Sequence, residues 1–128
     1  MTREIRLVRG DPEAFFREIR AGGGLTLTER RDVARRIARF PVPYVMRTHR
    51  DALDQACVVL SPRTRSPWHA TFFLLRAHAR FAIITRMIDG WTIGGTVPDL
   101  KDALDLMTLA VLRPERLHLA PHAAPAFH

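Results

Sequence analysis

The sequence has 128 residues and an apolar fraction of 47%, which suits one globular domain and excludes both two separate cores and a disordered chain. Twenty basic residues, nineteen of them arginine, oppose thirteen acidic ones, and the formal net charge of +7 favours anionic partners. No apolar run reaches the roughly eighteen residues of a membrane span, and the single cysteine excludes an internal disulfide. We therefore expect a cytoplasmic protein without a membrane partner.

The N-terminal residues predict a strand followed by a helix. Residues 4–9 alternate between apolar and charged side chains, as a half-buried strand does. Asp11 then precedes Pro12 at a first helical position, and three glycines at 22–24 follow the apolar residues of helical spacing. The first helix is therefore predicted between Asp11 and these glycines.

A second helix is predicted from residue 26 to residue 40. Thr26 and Glu29 have the spacing of a capping box, and Pro41 follows the expected end at Phe40. Helical spacing places three apolar side chains together on the side that should face the core, namely Val33, Ile37 and Phe40.

The opposite side of this helix carries a column of basic side chains. Arg31, Arg35 and Arg39 recur every four residues, and Arg36 lies beside them. Asp32 is the only acidic residue inside the helix after its first turn, so it cannot neutralise the column. The pattern predicts a strongly cationic surface.

The middle of the chain predicts several short elements. Residues 44–47 suit a brief strand, residues 49–56 a short helix, and the apolar residues 57–60 a buried strand. Residues 62–67 contain two prolines and two arginines, which indicates an exposed loop.

The following segment is apolar on both faces, so periodicity alone does not separate strand from helix. The β-branched residues favour strands at 72–75 and 81–84, while a helix over 67–79 stays open as the alternative. Asp89 and Gly90 are a strong hairpin signal between two further apolar segments.

Gly94 and Gly95 predict a turn before a final helix over residues 99–112, and the prolines in 115–128 predict an extended or mobile tail. The core stripe expected for this helix consists of Leu100, Leu104, Met107 and Val111. Its acidic edge consists of Asp99, Asp102 and Asp105.

Taken together, these patterns predict one α+β domain over residues 1–114, followed by the tail over 115–128. We expect a mainly antiparallel sheet packed against about three main helices.

The arginine column favours a binding module that contacts the phosphate backbone of DNA or RNA, because a guanidinium group can hold two phosphate oxygens at once. Six such contacts predict a salt slope of roughly −4 to −5 on a logarithmic plot. An arginine-rich composition is also typical of GC-rich coding sequences, which leaves the cause of the charge open. The candidate residues are Arg30, Arg31, Arg35, Arg36, Arg39, Arg47, Arg50, Arg63 and Arg65.

A protein-interaction or inhibitor module that uses a sheet edge or the tail is the alternative function. The basic column and the acidic edge of the last helix can also meet each other inside one molecule or between two copies, so a homo-oligomer is open as well.

The order of one strand, two helices and several strands resembles RelE/ParE-type toxins, which often bind the ribosome's RNA. The resemblance implies an RNA-cleaving activity with His69 or His78 as the acid–base group. It is one of topology and no motif supports it residue by residue, so this is the weaker alternative and we expect a module that is not an enzyme. Cys57 with His69 and Asp54 forms a conceivable catalytic set, although the apolar run after Cys57 favours a buried, inert thiol.

Metal and cofactor sites are not predicted either. The histidines lack compact ligand spacing, and the glycines at 22–24 and 94–95 lack the lysine and spacing of a phosphate-binding loop.

Overall fold

The computed structural model describes residues 4–9, 24–50, 56–64, 68–86 and 91–114, with residues 4–9 as backbone. Within these ranges the chain forms six strands and two helices. Their order is β1 (Glu4–Arg9), α1 (Leu27–Ile37), β2 (Tyr44–Arg50), β3 (Ala56–Pro62), β4 (Thr71–Ala77), β5 (Arg80–Arg86), β6 (Trp91–Val97) and α2 (Leu100–Leu112).

The strands form one sheet with the order β1-β6-β5-β4-β3-β2, and every neighbouring pair is antiparallel. Strands β2 to β6 follow one another as a meander, while β1 joins the far side of β6. The α+β class with an antiparallel sheet is therefore confirmed. Of the three helices expected, the second and third are α1 and α2, and the one predicted after Asp11 lies outside the described residues.

Both helices pack on the same face of the sheet. Val33 of α1 and Met107 of α2 are buried in one apolar cluster with Leu60 of β3 and Leu74 of β4. Helix α1 contacts β2 and α2, and α2 contacts β5 and β6. The core stripes predicted for the two helices are confirmed, with Ile37 and Leu100 only partly buried.

The other face of the sheet carries a second buried apolar cluster. Its members are Cys57, Val59, Leu75, Ala82 and Ile84, with Phe73 and Ala77 packed against them. Strands β3, β4 and β5 are thus buried on both faces, which explains why their sequences run apolar without alternation. The expected buried thiol of Cys57 is confirmed.

Helix α1 begins with the predicted capping box. The Thr26 hydroxyl accepts a 3.1 Å hydrogen bond from the Glu29 amide, and the Glu29 carboxylate accepts one of 2.8 Å from the Thr26 amide. The helix ends at Ile37, three residues before the predicted end. A tight turn follows, in which the Phe40 amide donates to the Ile37 oxygen at 3.1 Å, so Phe40 still reaches the core.

The prediction of a helix over residues 49–56 is wrong. The structure describes both ends of this range, and each end belongs to a strand. His49 and Arg50 belong to β2, and Ala56 begins β3. The two strands pair without interruption from Tyr44 opposite Pro62 to Arg50 opposite Ala56. Strand pairing therefore prevails over the local helix preference of these residues.

Strand β4 replaces the helix considered for residues 67–79. It turns into β5 through His78 and Ala79, where His78 has a positive φ of 59°. Strands β5 and β6 form the hairpin that Asp89 and Gly90 predicted, although those two residues are outside the described ranges.

The turn predicted at Gly94 and Gly95 is wrong, because both lie within β6. They pair with Ile84 and Ile83 of β5 on one side and with β1 on the other. Neither glycine can therefore belong to a phosphate-binding loop.

Candidate nucleic-acid interface

The basic column of α1 faces solvent, as its spacing predicted. Arg31, Arg35 and Arg39 are all exposed, on the side away from the fully buried Val33. Arg31 and Arg35 stand about 6 Å apart along the helix axis, since four residues rise 1.5 Å each. Arg39 continues this row from the turn after the helix. We call these three side chains the arginine row.

The row is only weakly neutralised. Arg35 Nη1 lies 3.4 Å from Asp32 Oδ1, and the two side chains are 75% and 46% exposed. An ion pair this open to water contributes little, because water and salt screen it. In the described part of the chain, Arg31 and Arg39 have no acidic group within ion-pair distance. Positive charge therefore persists along the whole row.

Arg36, which was predicted to flank the row, instead links the two helices. Its Nη1 donates to Asp105 Oδ1 at 2.8 Å and to Thr108 Oγ1 at 3.1 Å, and its side chain is only 21% exposed. The hydrogen bond from Arg36, helped by the nearby Lys101, lowers the pKa of Asp105 despite an opposing effect of desolvation. This contact is the internal pairing of basic column and acidic edge that the sequence left open.

The remaining candidate arginines divide between different surfaces. Arg30 Nε donates to the Leu25 oxygen at 3.3 Å, at the start of α1. The Arg63 amide donates to the Pro43 oxygen at 2.8 Å, which places exposed Arg63 against the segment that follows the arginine row. The contact is one between backbones and does not assign the Arg63 guanidinium group to the row.

Arg47 and Arg50 lie on edge strand β2 and point to opposite faces. Met46 packs into the core under the helices, so alternation puts Arg47 on the other face of the sheet and Arg50 on the helix face. Arg65 is outside the described residues. The structure therefore separates Arg47 from the arginine row.

A second ion pair fixes the start of α1 on the sheet. Arg76 of β4 donates to the Glu29 carboxylate, and its guanidinium group lies 4.9 Å from the centre of the Phe81 ring. Burial raises the pKa of Glu29, but hydrogen bonds from Arg76 and Thr26 outweigh it and leave the pKa lowered. The pair holds the helix with its arginine row turned outward.

No family model, curated protein or solved structure matches this chain. What its surface can bind must therefore be inferred from its own residues.

The two histidines considered as alternative acid–base groups lie at opposite ends of β4. His69 precedes β4 and His78 follows it, so a seven-residue strand, about 23 Å long, separates them. Cys57 lies opposite His49 in the β2–β3 pair instead of near His69. Over the described ranges no three histidine, cysteine, aspartate or glutamate side chains are grouped as metal ligands would be.

Sequence reasoning predicted a strand at residues 44–47 and named Arg47 and Arg50 as candidates, but it assigned His49 to a helix and so missed that β2 continues to Arg50 as an exposed basic edge. No local pattern marks this extension, because residues 49 and 50 become a strand by pairing with β3. In the described part of the chain, no helix is long and apolar enough to cross a membrane.

Proposed function

We propose that this chain binds the phosphate backbone of nucleic acids through the arginine row and does so without reading base sequence. The observation that supports the proposal is the row itself, three exposed arginines on one side of α1 and of the turn after it. Among the described residues Arg35 alone of the three has an acidic partner, Asp32, and that pair is well exposed. Planar guanidinium groups match the geometry of phosphate oxygens.

Sequence tolerance follows from the side chains that the row lacks. Asn and Gln, which pair with adenine edges, do not occur in α1. Contacts to phosphate position a protein on nucleic acid but carry no base information directly. Binding should therefore depend strongly on salt and only weakly on sequence.

The structure reduces the number of phosphate contacts to expect. Arg36 is engaged with Asp105, and Arg47 lies on another surface, which leaves three contacts from the row. Three contacts predict a slope of log affinity against log salt of about −2 to −3, shallower than the value for six.

The test is a titration of labelled single-stranded RNA, single-stranded DNA and duplex DNA at several salt concentrations. The row variant is Arg31→Glu with Arg39→Glu. Its matched control is Arg47→Glu with Arg86→Glu, two exposed residues on the opposite face of the sheet. Each pair lowers the formal net charge by four, from +7 to +3, so net charge is held equal.

We expect the row variant to lose at least about tenfold in affinity and to have a salt slope shallower by about 2, one unit for each phosphate contact removed. The control should keep most of its affinity. Arg36→Glu should leave the slope unchanged, because Arg36 faces α2. The proposal would be contradicted if the unmodified chain did not bind at low salt. Equal losses of affinity in both double variants would show that net charge, and not the arginine row, causes the binding.

A further inference from the structure

Strand β2 is the end strand of the described sheet. It spans seven residues and pairs with β3 on one side without a bulge. The sheet order ends at β2, so no strand of the described chain pairs with its outer side. Alternate backbone N–H and C=O groups of an edge strand point outward, where they can accept another strand.

The exposed side chains of this edge are basic on the face opposite the helices. Arg47 and His49 are two residues apart, so they lie on the same face, and both are exposed. Val45 precedes them on that face and is 36% exposed. The edge therefore presents an apolar position followed by two basic ones.

This charge pattern selects between partners. A second copy of β2 would bring Arg47 close to Arg47 of its neighbour, and like charges across a strand pair are unfavourable. An acidic strand would instead be attracted to this edge, since each of its carboxylates would face a basic side chain. The edge thus disfavours self-pairing and admits an acidic partner.

We propose that an extended acidic polypeptide segment binds to this edge as an additional strand beside β2. Its carboxylates lie opposite Arg47 and His49, and an apolar side chain lies opposite Val45. Backbone hydrogen bonds supply the alignment, and alternate side chains supply the specificity. Residues 115–128 of this chain contain one acid, Glu115, and two prolines, so they do not supply such a segment.

Charged side chains on an edge strand also protect proteins from aggregation. Edge strands are usually protected further by being short or by containing a proline or a β-bulge. Strand β2 has none of these three, since it is seven residues long, free of proline and regularly paired. Among the protections that the described residues show, its positive charge is the one that remains. Positive charge repels a second basic strand, but it does not repel an acidic one.

The probe is a synthetic eight-residue peptide with glutamate, glutamate and valine at its positions 2, 4 and 6 and threonine elsewhere, so that an antiparallel strand places these three side chains opposite His49, Arg47 and Val45. It is added to the chain of 128 residues and followed by amide NMR shifts and hydrogen exchange. We expect one peptide per chain, with shifts and slowed exchange concentrated in residues 45–49. Shifts concentrated on α1 would overturn the proposal, since they would assign the peptide to the arginine row.

Two variants of equal charge change test the side-chain contacts. Arg47→Glu with His49→Glu lowers the net charge by three, and so does Arg31→Glu with Arg39→Gln on α1. The edge variant should bind the peptide at least about tenfold more weakly, and the helix variant should bind it nearly as well as the unmodified protein. Equal losses would overturn the proposal. Circular dichroism of each variant confirms that the fold persists.

Two N-methylated peptides test strand addition itself. One carries N-methyl groups on its odd residues and the other on its even residues, so only one of them blocks the amides that face β2. We expect one peptide to lose at least about tenfold in affinity and the other to bind like the parent. If both bind like the parent, charge alone holds the peptide and no strand is added.

Discussion

Tyr44 is the only tyrosine in the chain, and its hydroxyl group donates a 2.7 Å hydrogen bond to the backbone oxygen of Ala70. The ring is buried between Phe40, which meets it edge to face, and Phe72, which stacks on it. It joins the segment after α1 to the segment before β4. One side chain therefore combines apolar packing with a buried polar contact.

Replacing Tyr44 with phenylalanine keeps the ring and removes the hydroxyl group. The Ala70 oxygen then loses its donor, so we expect the free energy of unfolding to fall by about 1–2 kcal/mol. Urea unfolding followed by tryptophan fluorescence measures the change. A variant as stable as the unmodified protein would show that the hydrogen bond contributes nothing net.

The same residue predicts alkaline behaviour. Burial raises the pKa of the Tyr44 phenol above its ordinary value of 10.0. Above that pH the unfolded chain ionises while the folded chain stays protonated, so the stability due to Tyr44 falls as the pH rises. The phenolate absorbance should appear only with unfolding, and Tyr44→Phe should lack this part of the alkaline loss. Phenolate absorbance in the folded protein at ordinary tyrosine pKa would refute the prediction.

At the scale of elements, the start of α1 depends on the contact between Glu29 and Arg76. The capping box and this ion pair use the same carboxylate, so the helix cap and the attachment to the sheet are coupled. A change at Glu29 should affect both at once.

We expect Glu29→Gln to lower the free energy of unfolding by about 1–3 kcal/mol at neutral pH, because Arg76 loses a charged hydrogen-bond partner. The pKa of Glu29 is lowered in the folded state, so its contribution is present above the ordinary value of 4.5 and is lost as the pH falls below it. Urea unfolding between about pH 6 and pH 3 should therefore show a difference between the two proteins that shrinks with acid. If the difference in the free energy of unfolding stayed constant over this pH range, the substitution would act through packing and not through the charge of Glu29.

The elements differ in how well their sequences predict them, for physical reasons. The capping residues Thr26 and Asp99 act locally, so both helix starts were predictable. Residues 49 and 50 form a strand only because β3 pairs with them, which no local pattern reports. Gly94 and Gly95 lie in β6 for the same reason. The turn at His78 contains none of the residues that usually mark a hairpin.

The candidate site also has features that local sequence predicts and features that depend on tertiary packing. Helical spacing alone predicted that Arg31, Arg35 and Arg39 share one exposed side. The engagement of Arg36 depends on where α2 packs, and α2 lies 69 residues further along at Asp105. Tertiary packing therefore decided which arginines remain accessible.

At the scale of the whole molecule, both faces of the sheet are buried at its centre. Neighbouring residues Leu74 and Leu75 of β4 point to opposite faces, and both are fully buried. A sheet with one solvent-facing side would contain only one such residue of the two.

Leu74→Ala and Leu75→Ala should therefore destabilise the protein to a similar extent, each by about 2–5 kcal/mol, because each leaves a cavity in a packed cluster. Thermal and urea unfolding of the two variants measure the comparison. Exposed Leu109 of α2 supplies the control, since Leu109→Ala should change the stability little. A Leu75→Ala variant as stable as the Leu109→Ala variant would contradict a second buried face.

The pairing of β1 with β6 has a consequence for how the chain acquires its structure during synthesis. The partner of β1 is β6, the sixth strand of the described chain, and Glu4 lies opposite Thr96 in the sheet. The hairpins from β2 to β6 connect neighbours, whereas β1 must wait until most of the chain has left the ribosome. We expect the N-terminal segment to be the last to dock, with the amides of β6 that face β1 gaining protection after those that face β5. Pulsed hydrogen exchange during refolding would reveal this order, and simultaneous protection of both sides of β6 would rule it out.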